Sequence, residues 1–531
     1  MSRIEPLSAD MFDADCGHRM PFRVGDKWSA MLLRCLEAGP RRFTELKVPL
    51  HRVSPKVLTE TLRAMERDGW VTRTAYDENP PRVEYVLTAL GRALLDPMDH
   101  LLAVDARPPR GDSRCVRGVR AGGVTDPAPR PGRAQAARMV RPLALVRAVL
   151  AAVLLPLLVS TAPAPRPLQH PGALLDRGRL DFVRARVRAG EEPYASAFDA
   201  MRASRYASLW YFVQPQTEVV CPPGDRPGRG CVQEREDAIA AYTHALMWAV
   251  TREKAHARKA LEIMDLWSGT LRGHSAGNSG LQAAWAGSVW ARAGEIMRYV
   301  HKGWPDENVA RFDRMLREVY LPQVAGGSLG RNGNWDLVMA DAAASIGVFL
   351  DDRAVFERAV ARVRQRVPAY FYLRSDGPRP KSPPGGLVDS REELTRYWFG
   401  QEKFVDGLAQ ETCRNFEHVG YAIAATAHVA ETARVQGVDL YKDVAERLGA
   451  ALELHAQYQV GEVEAGPEWL CGGRLTLTMG PDAEVALNHL QNRLGLRLPH
   501  ARRLAGEMRP AGTDNLFVAW ETLTHGGEPV K

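Results

Sequence analysis

The feature that most constrains this chain is an apolar run near its middle, residues 143–159 (LALVRAVLAAVLLPLLV). Arg138 and Arg141 flank Met139 just before it, and small residues and prolines follow, with an exit at Ala162 or Ala164. That order of basic, apolar and small residues is the pattern of a secretory signal peptide. At about 17 residues the run also reaches the short limit for a membrane-spanning helix. A helix buried in a soluble domain is the competing reading, but two structureless arms would not usually flank one. Upstream, residues 106–138 are rich in Arg, Gly, Pro and Ala without apolar periodicity. Such a stretch cannot bury enough surface to offset the entropy of ordering. A chain so interrupted cannot share one core. Its 531 residues are expected to divide into residues 1–105, a disordered basic linker 106–138, a signal-peptide-like or membrane-anchor segment 139–165, and residues 166–531.

Residues 1–105 alternate helical periodicity with one short β-rich stretch. Helices are expected over 28–37 and 43–47, then over SPKVLTETLRAMERDGW. There Ser54 is the N-cap, Pro55 takes the first helical position and Gly69 ends the helix. Val57, Leu58, Leu62 and Met65 make the apolar stripe; Lys56, Thr59, Glu60 and Arg63 take the outer face. VTRTAYDENPPRVEYVLT then reads as two strands around a turn at 77–81, a wing. A helix-turn-helix followed by a wing suits a helix laid in the major groove of double-stranded DNA. Ser54, Lys56, Thr59 and Arg63 would face the duplex, and Arg73 and Arg82 would reach phosphate. A net charge of +7 agrees with a polyanionic partner, though an acidic polysaccharide would satisfy it equally.

Cys16, GDKWSAMLL, GPRRFTEL, SPKVLTETLRAMERDGWVTR and PPRVEYVLTALGRALL stand in an order and spacing that resembles the HxlR-type winged-helix transcriptional regulators. The resemblance covers most of residues 16–104. It implies an α+β winged helix-turn-helix that forms a homodimer through its terminal helices and binds a twofold-symmetric operator. It also implies redox sensing at Cys16, against which an ordinary unreactive thiol is the plainer alternative.

From about residue 170 the pattern is helical almost without interruption. Helices are expected over 238–250, 255–271, 281–300, 308–320, 337–349, 354–367, 405–436, 442–457 and 483–494. Successive helical hairpins of this kind suit a bundle, a solenoid or an α/α toroid. Tryptophans recur here, most as core and a few as stacking platforms for sugar rings. Cys221 and Cys231 bracket a Pro/Gly/Arg loop and are candidates to close a small disulfide outside the cytoplasm, with Cys413 and Cys471 candidates for a second. No metal-ligand spacing occurs, and neither metal nor cofactor is expected.

The most informative stretch is QETCRNFEHVGY. As one helix it would set Glu411, Arg414, His418 and Tyr421 on a single face. β-Elimination from a uronic acid calls for that set. The C5 proton is very weakly acidic, so the adjoining carboxylate must be neutralised as the C–H bond breaks. Arg, His and an Asn amide are suitable donors. A tyrosine serves as base and as acid to the leaving oxygen, and a neighbouring Arg is expected to lower its pKa. Asn332 and Asn334, just before a helix, are the amide candidates, although turn chemistry alone would place asparagine there.

LQAAWAGSVWARAGEIM, NGNWDLVMADAAASIGVFLDD, QETCRNFEHVGYA, AETARVQGVDLY and WETLTH resemble the alginate-lyase-type polysaccharide lyases, over about residues 170–525. The resemblance implies an all-α (α/α) toroid and an acidic polysaccharide substrate. It carries an active-site arginine and tyrosine seven positions apart onto Arg414 and Tyr421. The family's asparagine–histidine pair falls near Asn332–Trp335, where this chain has no histidine; His418 is expected to serve instead. Trp335, Trp285, Gln282 and Glu411 are the substrate-binding candidates.

Three arrangements of the chain follow: a regulator and an exported lyase in one polypeptide, a membrane-anchored regulator whose helical domain senses polysaccharide, and two neighbouring genes read as one. Positive residues before the apolar run keep the winged helix cytoplasmic in the first two. A toroid glycoside hydrolase is the enzymatic alternative. It needs two facing carboxylates, for which Asp336, Asp341, Glu402 and Glu411 are available.

Overall fold

The computed structural model describes residues 28–50, 55–67, 69–76, 82–95, 167–224, 228–386, 388–461 and 466–527. Cys16, Ser54, the linker 106–138 and the segment 139–165 lie outside the described residues. Among the described residues no helix is long and apolar enough to cross a membrane. The chain divides into two compact units, residues 1–160 and 161–531.

In the first unit α1 (Ser29–Leu36), β1 (Arg41–Arg42), α2 (Phe43–Leu46), α3 (Pro55–Arg67), β2 (Val71–Tyr76), β3 (Arg82–Leu87) and α4 (Ala89–Ala93) follow in order. The strands form one antiparallel sheet, β1-β3-β2, with Val71 opposite Leu87 and Tyr76 opposite Arg82. The wing is therefore as expected; the two-residue β1 is too short to leave a pattern. Leu32, Leu36, Leu46, Leu58, Leu62, Met65, Val71 and Leu87 make the core. Val57 is a correction: it is exposed, and Thr61 is buried beside Leu58, Leu62 and Met65. Those four are the i, i+3, i+4, i+7 set of one helical face, and Val57 lies off it. Thr61 satisfies its hydroxyl on the carbonyl of Val57 at 2.9 Å.

The second unit contains α5 (Arg177–Arg188), α6 (Tyr194–Ala203), α7 (Cys231–Thr251), α8 (Lys254–Thr270), α9 (Ser279–Glu295), α10 (Asp306–Met315), α11 (Gly333–Phe349), α12 (Arg353–Arg366), α13 (Arg391–Tyr397), α14 (Phe416–Val435), α15 (Tyr441–Gly461), α16 (Glu484–Leu490), α17 (Pro499–Met508) and α18 (Glu521–His525). A parallel pair of three-residue strands, β4 (Glu218–Val220) and β5 (Gly273–Ser275), joins the segments before α7 and α9. Packing runs α5–α7–α9–α11–α14–α16–α18 and back to α5, a closed circuit of helices. Helices α8, α12, α15 and α17 pack outside it. The sequence dictates this division. Most residues of α7, α9, α11 and α14 are buried, so these helices are enclosed on all sides. By contrast α8, α10 and α12 bury one stripe and leave charged residues outside.

A buried polar chain bolts four helices of the circuit together. Arg292 of α9 donates to Asp341 of α11 at 2.6 Å, and His428 of α14 lies 3.1 Å from Asp341 and 2.6 Å from Glu521 of α18. Burial alone would raise Asp341, but Arg292 and His428 hold it below the usual carboxylate range. Both disulfides are formed, Cys221–Cys231 and Cys413–Cys471.

The helix expected over 405–436 begins only at Phe416. Asn415 caps it, its side chain accepting from the backbone N–H of His418 at 3.1 Å. Glu411 and Arg414 therefore sit in the turn before the helix, not on its face.

Candidate functional site

That turn and the first turns of α14 form one wall of a cleft of about 630 Å³. Arg414, His418 and Tyr421 line it, as do Asn332, Asn334, Trp335 and Trp285, so seven of the nine expected sugar-site residues meet there. Asn332 is the N-cap position of α11, which brings Asn334 and Trp335 to the opposite wall. Arg235 of α7, Arg331, Asn278, Tyr397, Glu417 and Leu516 also line it and were not anticipated. Glu417 carries a local signal that was missed, since it stands four residues before Tyr421 on one helix. Arg235 and Leu516 carry none, being brought in by the closed circuit of helices.

Glu411 is a correction. It is fully buried beneath the cleft and holds other side chains in place of a sugar. Its Oε2 accepts from the amide of Asn334 and from the Tyr370 hydroxyl at 3.0 Å, and its Oε1 accepts from Arg414 at 2.7 Å. Gln282 is a second correction: buried, it accepts from Arg235 at 2.7 Å and donates to Glu234 at 2.6 Å, so it positions Arg235. Gln410 plays a like part on the far wall, accepting from Gly333 N at 3.0 Å and donating to Asn332 at 3.2 Å.

Three arginines serve the cleft. Arg414 spends one nitrogen on Glu411 and is a third open to solvent. Arg235 lies over the Trp285 ring at 5.3 Å and Arg331 over Trp335 at 4.7 Å. Flat aromatic faces and guanidinium groups together suit a sugar ring that carries a carboxylate.

His418 and Tyr421 differ from expectation in their protonation. Burial, then the Arg414 charge, pushes His418 below the usual histidine value, so its ring is neutral near pH 7. Its Nδ1 lies 2.6 Å from Asn415 Oδ1, an oxygen already identified as an acceptor by the helix cap. Nδ1 therefore carries the proton and Nε2 keeps a lone pair. Tyr421 donates its hydroxyl to Glu417 Oε1 at 2.7 Å. Burial, then the Glu417 carboxylate, raises its phenol well above the usual value, opposite to the lowering expected from Arg414.

The carboxylates named for a hydrolase do not pair across the cleft. Asp336 is committed to Arg366 at 2.9 Å, Asp341 to the buried chain, Glu411 lies beneath, and Glu402 lines a separate cavity beside the Cys413–Cys471 disulfide.

In the first unit Arg63 of α3 and Arg73 of β2 are exposed and Thr59 is half-buried. Lys56 lies in the first turn of α3, and Arg82 begins β3. Burial pushes the Cys35 thiol up to about 12, which makes it a poor nucleophile.

A winged helix and a helical unit with a cationic, aromatic-walled cleft define two classes of protein in one chain, a DNA-binding regulator domain and a carbohydrate-type domain. Profile comparison matches residues 23–106 to the HxlR-like helix-turn-helix family and residues 222–468 to the alginate lyase family. The chain belongs to the HxlR-type regulators through its first unit and carries an alginate lyase family domain in its second. Curated relatives of the first unit include an HTH-type transcriptional regulator of Methanothermobacter thermautotrophicus, 38% identical over 78 residues, covering 15% of this chain and 60% of the relative. The HTH-type transcriptional regulator YkvN of Bacillus subtilis is 41% identical over 80 residues, 15% of this chain and 68% of the relative. The chain spans 60 to 64% of the length of two such relatives. Among solved structures, alginate lyase A1-III from Sphingomonas species A1 is 16% identical, covers 68% of this chain and 98% of its own, and has a TM-score of 0.48. The reduced form of the transcriptional regulator YodB from Bacillus subtilis is 32% identical, covers 17% and 87%, and has a TM-score of 0.16.

Proposed function

We propose that the second unit is a polyuronate lyase on an (α/α) toroid, and that the first binds operator DNA as a transcriptional regulator. The observation that carries the lyase reading is the convergence of Arg414, Asn334, His418 and Tyr421 on one cleft that Arg235 and Arg331 make cationic. Arg414 and Asn334, both held by Glu411, face the substrate carboxylate and take up the charge that grows there as the C5–H bond breaks. Tyr421 removes that proton and returns one to the leaving glycosidic oxygen. His418, neutral with Nε2 open, is a hydrogen-bond acceptor for a sugar hydroxyl, where carboxylate neutralisation was first expected of it. A hydrolase would need a second carboxylate facing Glu417, and the described residues offer none. Mixing the full chain with polymannuronate, polyguluronate and polyglucuronate tests the reading. At least one is expected to give a rising ultraviolet absorbance from unsaturated uronate ends; no rise with any would overturn it.

The two disulfides of the second unit belong to an oxidising compartment, whereas DNA lies in the cytoplasm. We therefore place the second unit outside the cytoplasm, with residues 139–165 as the export segment. Cell fractionation is expected to find the second unit outside the cytoplasmic fraction; finding it with the soluble cytoplasm would sink this placement.

For the first unit, Arg63→Ala and Arg73→Ala are each expected to weaken binding to mixed-sequence duplex DNA. If each arginine contacts one phosphate, each should lower the slope of log affinity against log salt by about 1. A fluorescence-anisotropy titration at several salt concentrations measures it. Slopes unchanged in both variants would remove this surface from the interface.

A further inference from the structure

Tyr421 is a difficult base as it stands, because its phenol is neutral and its proton already points at another group. Glu417 is that group. It lies in the first turn of α14, where the positive end of the helix dipole favours a negative charge, and its Oε1 is 2.7 Å from the phenol oxygen. Both side chains line the cleft, so the pair is open to a bound sugar. Tyr421 is fixed on its other sides by the edges of Trp285, His418 and Phe517, with ring centroids 6.5, 5.5 and 6.2 Å away. Among the described residues its hydroxyl has one side-chain hydrogen-bond partner, Glu417.

Resting on the lyase reading, we propose that Glu417 stores the phenol proton during elimination, so that Tyr421 and Glu417 together form the base and then the acid. The C5–H bond breaks and its proton forms a new bond to the Tyr421 oxygen, while the phenol's own proton passes to Glu417 Oε1. The electron pair of the C–H bond becomes the C4–C5 double bond, and the C4–O4 bond breaks with its pair on O4. The leaving O4 then takes a proton from Tyr421, and Glu417 returns its proton to the phenol. Every proton and electron pair is accounted for, and no oxidant or co-reactant enters. Carboxylates serve as bases for protons α to a carbonyl elsewhere, so a carboxylate acting through a phenol is within known chemistry. The surroundings suit the task. Arg414 and His418 line the cleft from the same segment and Arg235 from α7, and the buried carboxyls of Asp482 and Asp514 are near enough to act on the phenol electrostatically. Burial raises both of those carboxyls, Asp514 to about 7.

The experiment compares Glu417→Gln, Glu417→Asp and His418→Gln in the full chain with the polyuronate that the parent cleaves. Glu417→Gln is expected to lower kcat about 100-fold with KM within about threefold, because an amide still accepts the phenol hydrogen bond but cannot store its proton. The fall of kcat on the acid side of the parent profile should vanish in Glu417→Gln and persist in His418→Gln. Glu417→Asp should recover part of kcat. Retention of the oligouronate affinity and of the melting temperature shows that Glu417→Gln is folded. A Glu417→Gln enzyme within about threefold of the parent kcat overturns the proposal, as does an acid limb that disappears in His418→Gln instead. A parent that cleaves no polyuronate overturns the lyase reading itself, a result distinct from either of these.

Discussion

Tyr421→Phe is expected to lower the release of unsaturated uronate ends by at least about 10³-fold, with KM for the polyuronate changed little. The variant removes one oxygen. That oxygen is the only atom on Tyr421 able to exchange a proton, and the ring keeps its edges against Trp285, His418 and Phe517. Glu417 loses its partner at 2.7 Å, but it borders the cleft and water can replace the phenol there. Little stability is therefore at stake, and the loss should fall on kcat alone. Steady-state rates followed by ultraviolet absorbance, with binding of a short oligouronate measured separately, check both halves. A Phe variant that keeps a tenth or more of the parent kcat would assign the proton chemistry to another group, with His418 Nε2 the first in line.

Much of this arrangement was legible in the chain, and the places where it was not have definite causes. Pro55 and Gly69 punctuate α3, and the Asn-Pro-Pro stretch in the sequence between β2 and β3 separates two alternating runs, so the first unit follows from local signals. Helices α8 and α12 were legible because a breaker follows each, Gly273 after the one and Pro368 after the other. The start of α14 was not, because helix-like spacing continues upstream of it through Glu411 and Arg414. What stops the helix is the Asn415 cap, together with Gly407, whose backbone has φ +87° and passes so close to Ala450 that a Cβ would lie 2.2 Å from its carbonyl oxygen. Arg414, His418 and Tyr421 survived that error, since the turn still delivers Arg414 to the same wall. Glu411 did not. A carboxylate beside a polar stripe reads the same whether it faces a sugar or gathers neighbouring side chains, and only the positions of Asn334 and Tyr370 decide between the two. Arg235 depends on contacts between helices far apart in the chain, which no local period encodes.

The part Glu411 plays leads to the second large effect. Glu411→Ala is expected to destabilise the second unit by about 2 to 5 kcal/mol and to remove lyase activity in the same stroke. The carboxylate is fully buried and accepts from three donors: the Asn334 amide, the Tyr370 hydroxyl and the Arg414 guanidinium. Arg414 is a third exposed and can turn to water, so its share of the loss is small. Asn334 is buried and cannot, and a donor left without a partner costs about 1 to 3 kcal/mol, whereas the Tyr370 hydroxyl can turn to the His418 carbonyl at 3.3 Å. Denaturant unfolding monitored through the tryptophans measures the first effect, and the absorbance assay the second. Glu411→Gln separates them. Its amide oxygen can still take one or two of the three hydrogen bonds, so most of the stability should return. Its NH₂ group, however, meets another donor where Glu411 met Arg414, and that arginine is pushed from the carboxylate position. If Glu411→Gln recovers stability but not activity, the residue works by aiming Arg414 and Asn334 at the substrate. If activity returns along with stability, Glu411 only braces the wall, and the carboxylate clamp does not depend on where that arginine points.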